Sequence, residues 1–173
     1  MTVDDPLLLD LARRGSSDAV SELYERYWPL AWRWAYLATG NLVDAEDVAQ
    51  DAICRAFREL ARHDSNRPFG PWLKRIVVNR AIDTYRRERR RTEWFDDLRP
   101  AAPEEDTSAS DAVVAAVHDL PQQRRVVIVL HYWLGYGAEE IAQILDLPYG
   151  TVASRLSRAL ANLRTILEEE HVR

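Results

Sequence analysis

The chain has 173 residues, 47% of them hydrophobic and 29% charged, with a formal net charge of -5 and a single cysteine. That balance supports a packed core and excludes wholesale disorder, while no apolar run approaches the roughly 20 residues of a bilayer span and the acidic opening "MTVDDPLLLDLARRG" is unlike a signal peptide, so a cytoplasmic protein is expected. Cys54 alone forms no internal disulfide and the four histidines show no metal-ligand spacing, so redox chemistry, a bound metal and a cofactor are not expected.

In chain order, Asp5 followed by Pro6 marks a short opening helix. Val20, Leu23, Tyr24, Tyr27, Leu30 and Ala31 recur at helical spacing and predict a second helix, whose aromatic-rich stretch "YWPLAWRWAY" reads as core. Ala45, Val48, Ala49, Ala52, Ile53, Ala56, Phe57 and Leu60 predict a third over more than four turns, with Asp44 as its cap. "RHDSNRPFGPW", 62 to 72, is a polar loop. Pro71 then suits the first turn of a helix running through Trp72, Leu73, Ile76, Val77 and Ala81 toward Tyr85 and the basic run "RRERRR" at 86 to 91.

Residues 1 to 95 hold 16 Lys/Arg against 15 Asp/Glu, residues 96 to 119 hold one against seven, and residues 120 to 173 hold six against six. The negative excess is therefore confined to the middle, where "DDLRPAAPEEDTSAS", 96 to 110, has the Pro, Ala, Ser and acidic composition of a linker. Beyond it Asp111 caps "AVVAAVHDL", Pro121 starts "QQRRVVIVLHYW", and "GYG" at 135 to 137 breaks the chain before two more helices. No period-two run demands a strand. The expected fold is all-α: a domain at 1–95, the acidic linker at 96–110, and a second small helical domain at 111–173.

Three surfaces invite a functional reading. In "EEIAQILDLPYGTVASRLSRAL", 139 to 160, Ala142, Asp146 and Val152 fall at the contact, turn and locking positions of a helix-turn-helix. Ile141, Leu145, Leu147 and Leu156 would be its core, leaving Tyr149, Thr151, Ser154, Arg155 and Arg158 outside, where arginine can bond guanine edges or phosphates. An ordinary helical hairpin with solvated arginines has the same spacing. Second, Arg80, Arg86, Arg87 and Arg89 to Arg91 are dense enough for several phosphate contacts, with Asn79 and Asp83 one turn apart beside them; a basic helix end also complements its own dipole. The preceding loop, with Asn66, Arg67 and Phe69, suits an unstacked base or a plain connection. Third, Glu46, Asp47, Gln50 and Asp51 line the polar side of the third helix, which the residues alone present as a solvated face.

Taken in order, these pieces resemble the extracytoplasmic-function (group 4) sigma factors of bacterial RNA polymerase. "SELYERYWPLAWRWAYLATGNLVDAEDVAQDAICRAF" is similar to the early part of their region 2, and "FGPWLKRIVVNRAIDTYRRERRR" to its later part. "LPQQRRVVIVLHYWLGYGAEEIAQILDLPYGTVASRLSRALANLR" is similar to region 4. The resemblance implies a non-enzymatic factor that binds core polymerase through the β′ clamp helices and the β flap, with Asp47, Gln50 and Asp51 facing the clamp helices. It implies that Asn66, Phe69, Asn79, Arg80, Asp83, Arg86 and Arg87 engage a minus-10 element, and that Tyr149, Thr151, Ser154, Arg155 and Arg158 read a minus-35 element in promoter DNA. It also implies an anti-sigma protein as a further partner. The chain departs from the family pattern at Thr84, where histidine is frequent, at Gly137, where Ser or Thr often caps the helix, at Asp146, where glycine is usual, and at Ala153, where lysine is frequent.

Two other functions compete with this one. A self-sufficient helix-turn-helix regulator would bind its promoter tightly without polymerase. A nucleic-acid-processing enzyme would need paired carboxylates, an activated nucleophile or a glycine-rich phosphate loop, and the sequence offers none.

Overall fold

A computed structural model describes residues 4–64, 67–91 and 109–171. Among them the secondary structure is entirely helical: α1 (Asp5–Arg13), α2 (Ser17–Thr39), α3 (Leu42–Arg58), α4 (Phe69–Arg91), α5 (Ala109–His118), α6 (Gln122–Ile128), α7 (Ala138–Leu145) and α8 (Tyr149–His171). A short 3-10 turn, Leu60–Arg62, follows α3, and a π-helical turn, Val129–Trp133, prolongs α6. The chain divides into two compact units, Met1–Tyr36 with Leu42–Ala81, and Leu37–Asn41 with Ile82–Arg173. The acidic stretch at 96–110 lies almost wholly outside the described residues, as does Asn66. No helix of the described residues is long and apolar enough to cross a membrane.

In the first unit α1 opens with proline in its first turn, where a missing N–H costs nothing, and buries Leu8 and Leu9. It is tied down at both ends. Asp5 accepts hydrogen bonds from Arg26 (2.5 Å) and from the Tyr27 hydroxyl, and Arg13 donates to the carbonyls of Leu60 (3.1 Å) and His63 (2.7 Å). Burial, reinforced by the bond to Asp5, holds the Tyr27 phenol well above the ordinary tyrosine range.

The periodicity of α2 reaches further than its sequence signal. Ala19, Leu23, Tyr27, Ala31 and Ala35 form a buried i, i+4 ladder, and the helix runs through Pro29 to Thr39. Tyr24 and Leu30, which share the helical spacing, are exposed: each lies one position off the ladder, and Tyr24 instead stacks on Trp28 at 5.4 Å. Of the aromatic stretch, Tyr27 and Tyr36 are buried while Trp28, Trp32 and Trp34 are only half-buried.

Helix α3 buries Ala45, Val48, Ala49, Ala52, Ile53 and Ala56, small side chains that allow close backbone approach. It begins at Leu42, two residues before Asp44. Asp44 is thus a first-turn residue and not the cap, although its charge still suits the positive end of the dipole. Helix α4 runs unbroken from Phe69 to Arg91 with Leu73, Val77, Val78, Ala81, Ile82 and Tyr85 buried.

In the second unit α8 packs against α5, α6 and α7. The apolar run Val126 to Leu130 is buried at every position, which explains why it shows no amphipathic period. Helix α5 begins at Ala109, ahead of the expected cap Asp111. Arg125 is buried and donates to the Leu120 carbonyl from Nε (3.3 Å) and Nη2 (2.9 Å). Gly40 lies against it: its φ of +80° favours glycine, and a Cβ there would sit 1.4 Å from Arg125 Nη1.

Candidate functional site

The helix-turn-helix expectation rests on three positions, and the backbone bears it out. Asp146 adopts left-handed φ 53°, ψ 54° at the end of α7, the only non-glycine residue with positive φ among those described. The amides of Asp146 and Leu147 return to the carbonyls of Gln143 (3.4 Å) and Ala142 (2.9 Å), closing the helix. Val152 is 0% exposed and Ala142 8%, so the locking and contact residues are where the spacing puts them. Ile141 and Leu145 are fully buried, but Leu147 and Leu156 are half-buried and lie at the margin of the core. Gly137 caps α7, and its amide donates to Glu140 Oε2 at 2.8 Å. With no side chain, glycine supplies only this half of a capping box.

From this frame the outer residues of α8 emerge. Tyr149 is 56% exposed and Arg158 is exposed, whereas Thr151, Ser154 and Arg155 are half-buried. Arg155 is held: Nη2 donates to Gln123 Oε1 at 2.7 Å, and Nη1 to the Tyr85 hydroxyl at 3.4 Å, all within the second unit. Arg158 carries no such restraint on its direction in α8 among the hydrogen bonds seen. The two arginines of the expected reading face therefore differ in restraint: Arg155 is hydrogen-bonded to Gln123 and Tyr85, and Arg158 is exposed.

Along α4, Asn79, Asp83 and Arg87 are exposed and spaced by four residues on one stripe. Arg87 donates to Thr84 Oγ1 (3.3 Å), and Arg86 lies 4.0 Å from Asp83 while donating to the Ile144 carbonyl. Arg80, at the end of the first unit, donates to Asp51 Oδ2 from Nε (3.0 Å) and Nη2 (2.5 Å). Asp47, Gln50 and Asp51 are all exposed on α3. No local signal marks the Arg80 to Asp51 bond, because the partners are 29 residues apart on different helices.

Phe69 departs from its expected role. Its ring is 2% exposed, edge-on to Tyr27 at 4.8 Å and packed beside His63 and Trp72. An aromatic ring at the start of a helix and beside a polar loop looks in sequence like a stacking platform; in the fold it is the core anchor of that loop. His63, missed by sequence reasoning, anchors the loop from the other side. Its ring is buried against Trp72 at 4.8 Å, with Nε2 lacking a hydrogen-bond partner. Burial first, and the Arg13 guanidinium second, hold its pKa below the ordinary histidine value.

Chemically, these surfaces present hydroxyls, amides and guanidiniums on convex helices, suited to phosphates and base edges. Among the described residues no cluster of His, Cys, Asp and Glu is arranged to hold a metal ion.

Comparison with known proteins gives these surfaces a context. The Sigma-70 region 2 model matches residues 23–91, and the Sigma-70, region 4 model matches residues 110–163. The chain is 32% identical over 176 residues to the ECF RNA polymerase sigma factor SigW of Bacillus subtilis (strain 168), covering 91% of this chain and 93% of that protein. It is 33% identical over 155 residues to the ECF RNA polymerase sigma factor SigL of Mycobacterium tuberculosis, covering 85% and 88%. Among solved structures it is similar to CnrH in complex with the cytosolic domain of CnrY, with a TM-score of 0.52 and 29% identity over 95% of this chain and 97% of that one. The sigma factor RpoE of Bartonella quintana, solved with the anti-sigma factor NepR, shares the fold at a TM-score of 0.53 and 21% identity over 86% and 96%.

Proposed function

From the premise that this chain belongs to the extracytoplasmic-function family of RNA polymerase sigma factors, we propose how its residues divide the work of promoter-specific transcription initiation. The factor binds core RNA polymerase and joins it to promoter DNA. The exposed α3 stripe of Asp47, Gln50 and Asp51 meets the β′ clamp helices, and the second unit meets the β flap. Asn79, Arg80, Asp83, Arg86 and Arg87 of α4, with Asn66 in the loop before it, engage the minus-10 element. Phe69 serves the same loop from beneath, by anchoring it. Tyr149, Thr151, Ser154, Arg155 and Arg158 of α8 read the minus-35 element as duplex. The domains that carry these roles are 1–95 and 111–173, tethered by the acidic 96–110 segment. The factor acts in the cytoplasm, where its polymerase is, and an anti-sigma protein that covers these faces belongs to the same reading.

The observation that carries the proposal is the left-handed turn at Asp146, with Val152 locked behind it and Tyr149 and Arg158 exposed in front. That geometry suits insertion of the N-terminal part of α8 into a major groove. Net charge of -5 is no obstacle, because the basic groups are concentrated on these helices and the excess of carboxylates lies between 96 and 119.

Runoff transcription by purified core polymerase, with and without the chain, is the deciding test. Transcripts that start at new, defined sites only when the chain is present support the proposal. Tight promoter binding by the chain alone, with no effect on start sites, would replace it with a stand-alone regulator.

A further inference from the structure

The proposed function assigns Asp51 to polymerase and Arg80 to DNA, yet in the free chain these two residues are bonded to each other. Arg80 sends both Nε and Nη2 to one oxygen, Oδ2 of Asp51, at 3.0 and 2.5 Å. Both side chains remain accessible, Arg80 at 36% and Asp51 at 55%. Helix α3 and this stretch of α4 belong to the same compact unit, so the pair links two helices of one body.

We infer that Asp51 is a positioning residue for Arg80: it holds the guanidinium back while the factor is free and releases it to the DNA backbone when polymerase takes the carboxylate. The inference rests on the functional reading above. A carboxylate whose hydrogen-bonding oxygen is turned toward a polymerase donor no longer neutralises Arg80, and the freed cation is then available to displace a counterion from a phosphate. The linkage is reciprocal: DNA that captures Arg80 exposes Asp51 and raises the affinity for polymerase by the same factor. An ion pair this exposed holds its partners weakly, so the effect is a bias of about 2- to 5-fold in affinity and not an on-off switch.

The test uses the full chain and a short mixed-sequence single-stranded DNA carrying a fluorophore, titrated over a range of salt concentrations. Asp51→Asn, without polymerase, should bind about 2- to 5-fold more tightly than wild type. Its plot of log K against log salt should be steeper by about 0.7, the value of one additional phosphate contact on a single strand. Adding Arg80→Ala to Asp51→Asn should abolish both gains, and Asp51→Glu, which keeps the carboxylate, should behave as wild type. Unchanged thermal midpoints establish that folding is not being measured. Arg80→Ala is also measured in the complex with saturating core polymerase. If it lowers the salt slope there while Asp51→Asn changes nothing in the free chain, the positioning role is overturned and the DNA role of Arg80 stands. If it changes nothing in the complex, Arg80 does not touch DNA and both fall.

Discussion

Arg13 at the end of α1 donates to the backbone carbonyl of His63 at 2.7 Å, and the same guanidinium nitrogen lies 3.3 Å from the His63 ring. A cation is thus seated against a buried imidazole, and both burial and that charge disfavour its protonation. The folded-state pKa of His63 lies below its ordinary value of 6.5, so between the two the unfolded chain binds a proton that the folded chain refuses. Stability is complete above about pH 6.5 and falls as pH drops through that value and toward the folded pKa. Chemical denaturation at a series of pH values from neutral to mildly acidic should show a steeper loss for wild type than for His63→Gln, which has nothing to protonate. Equal slopes would remove His63 from the account. Arg13→Ala should separately cost about 1 to 3 kcal/mol at neutral pH, since it removes the side-chain donor to the His63 carbonyl and one of the two donors to the Leu60 carbonyl, which keeps the His63 amide.

The burial of Phe69 separates an anchoring role from a base-stacking one. Phe69→Ala should destabilise the chain by about 3 to 5 kcal/mol, the usual cost of emptying an aromatic core site. Phe69→Leu, closer in volume, should retain most of the stability and, with it, most of the single-strand DNA binding of the polymerase complex. A folded Phe69→Leu variant that lost this binding while keeping its denaturation midpoint would show that the ring itself meets a base.

At the helix-turn-helix, strain and packing predict opposite signs for two substitutions six residues apart in sequence. Asp146 pays a left-handed backbone penalty that glycine avoids, so Asp146→Gly should raise stability by up to about 1 kcal/mol, less whatever its side-chain interactions contribute. Val152 is wholly buried, and Val152→Ala should cost about 2 kcal/mol through lost apolar contact and a cavity. Thermal unfolding of the two variants checks both. Destabilisation by Asp146→Gly would mean that the aspartate side chain, not the backbone angle, governs the turn.

Local signals carried much of this architecture in the sequence. The Ala142, Asp146 and Val152 spacing is set by helix geometry within eleven residues, and the α3 stripe by a repeat over four turns, so both were legible. Pro29 stands inside α2 because the buried ladder of Ala31 and Ala35 overrides its local penalty, a balance that only the packed helix shows. Phe69, His63 and the Asp51 to Arg80 pair depend on which helices meet. An exposed aromatic and a buried one, or two charges 29 residues apart, look identical until the chain is folded.

Arg155 and Arg158 share a helix face but differ in restraint, and this predicts different consequences for their loss. Arg158 is exposed. Arg158→Ala should leave the denaturation midpoint unchanged and weaken promoter binding by about 1 to 3 kcal/mol if it makes a bidentate guanine contact, with relaxed preference at one base pair. Arg155 donates to Gln123 and Tyr85, and either exchanges those bonds for DNA or keeps them and meets DNA with its remaining N–H groups, held in direction by these two partners. Gln123→Ala discriminates the two. It frees Arg155, so tighter promoter binding follows if the bonds compete with DNA, and weaker binding follows if they aim the guanidinium at its target. Binding of the polymerase complex to promoter fragments with single base-pair changes, measured for all three variants, supplies both the affinity and the position at which preference is lost. An equal loss for Arg158→Ala on every fragment would assign that arginine to phosphate, as one charge among several holding the duplex, and leave base selection to the other residues of α8.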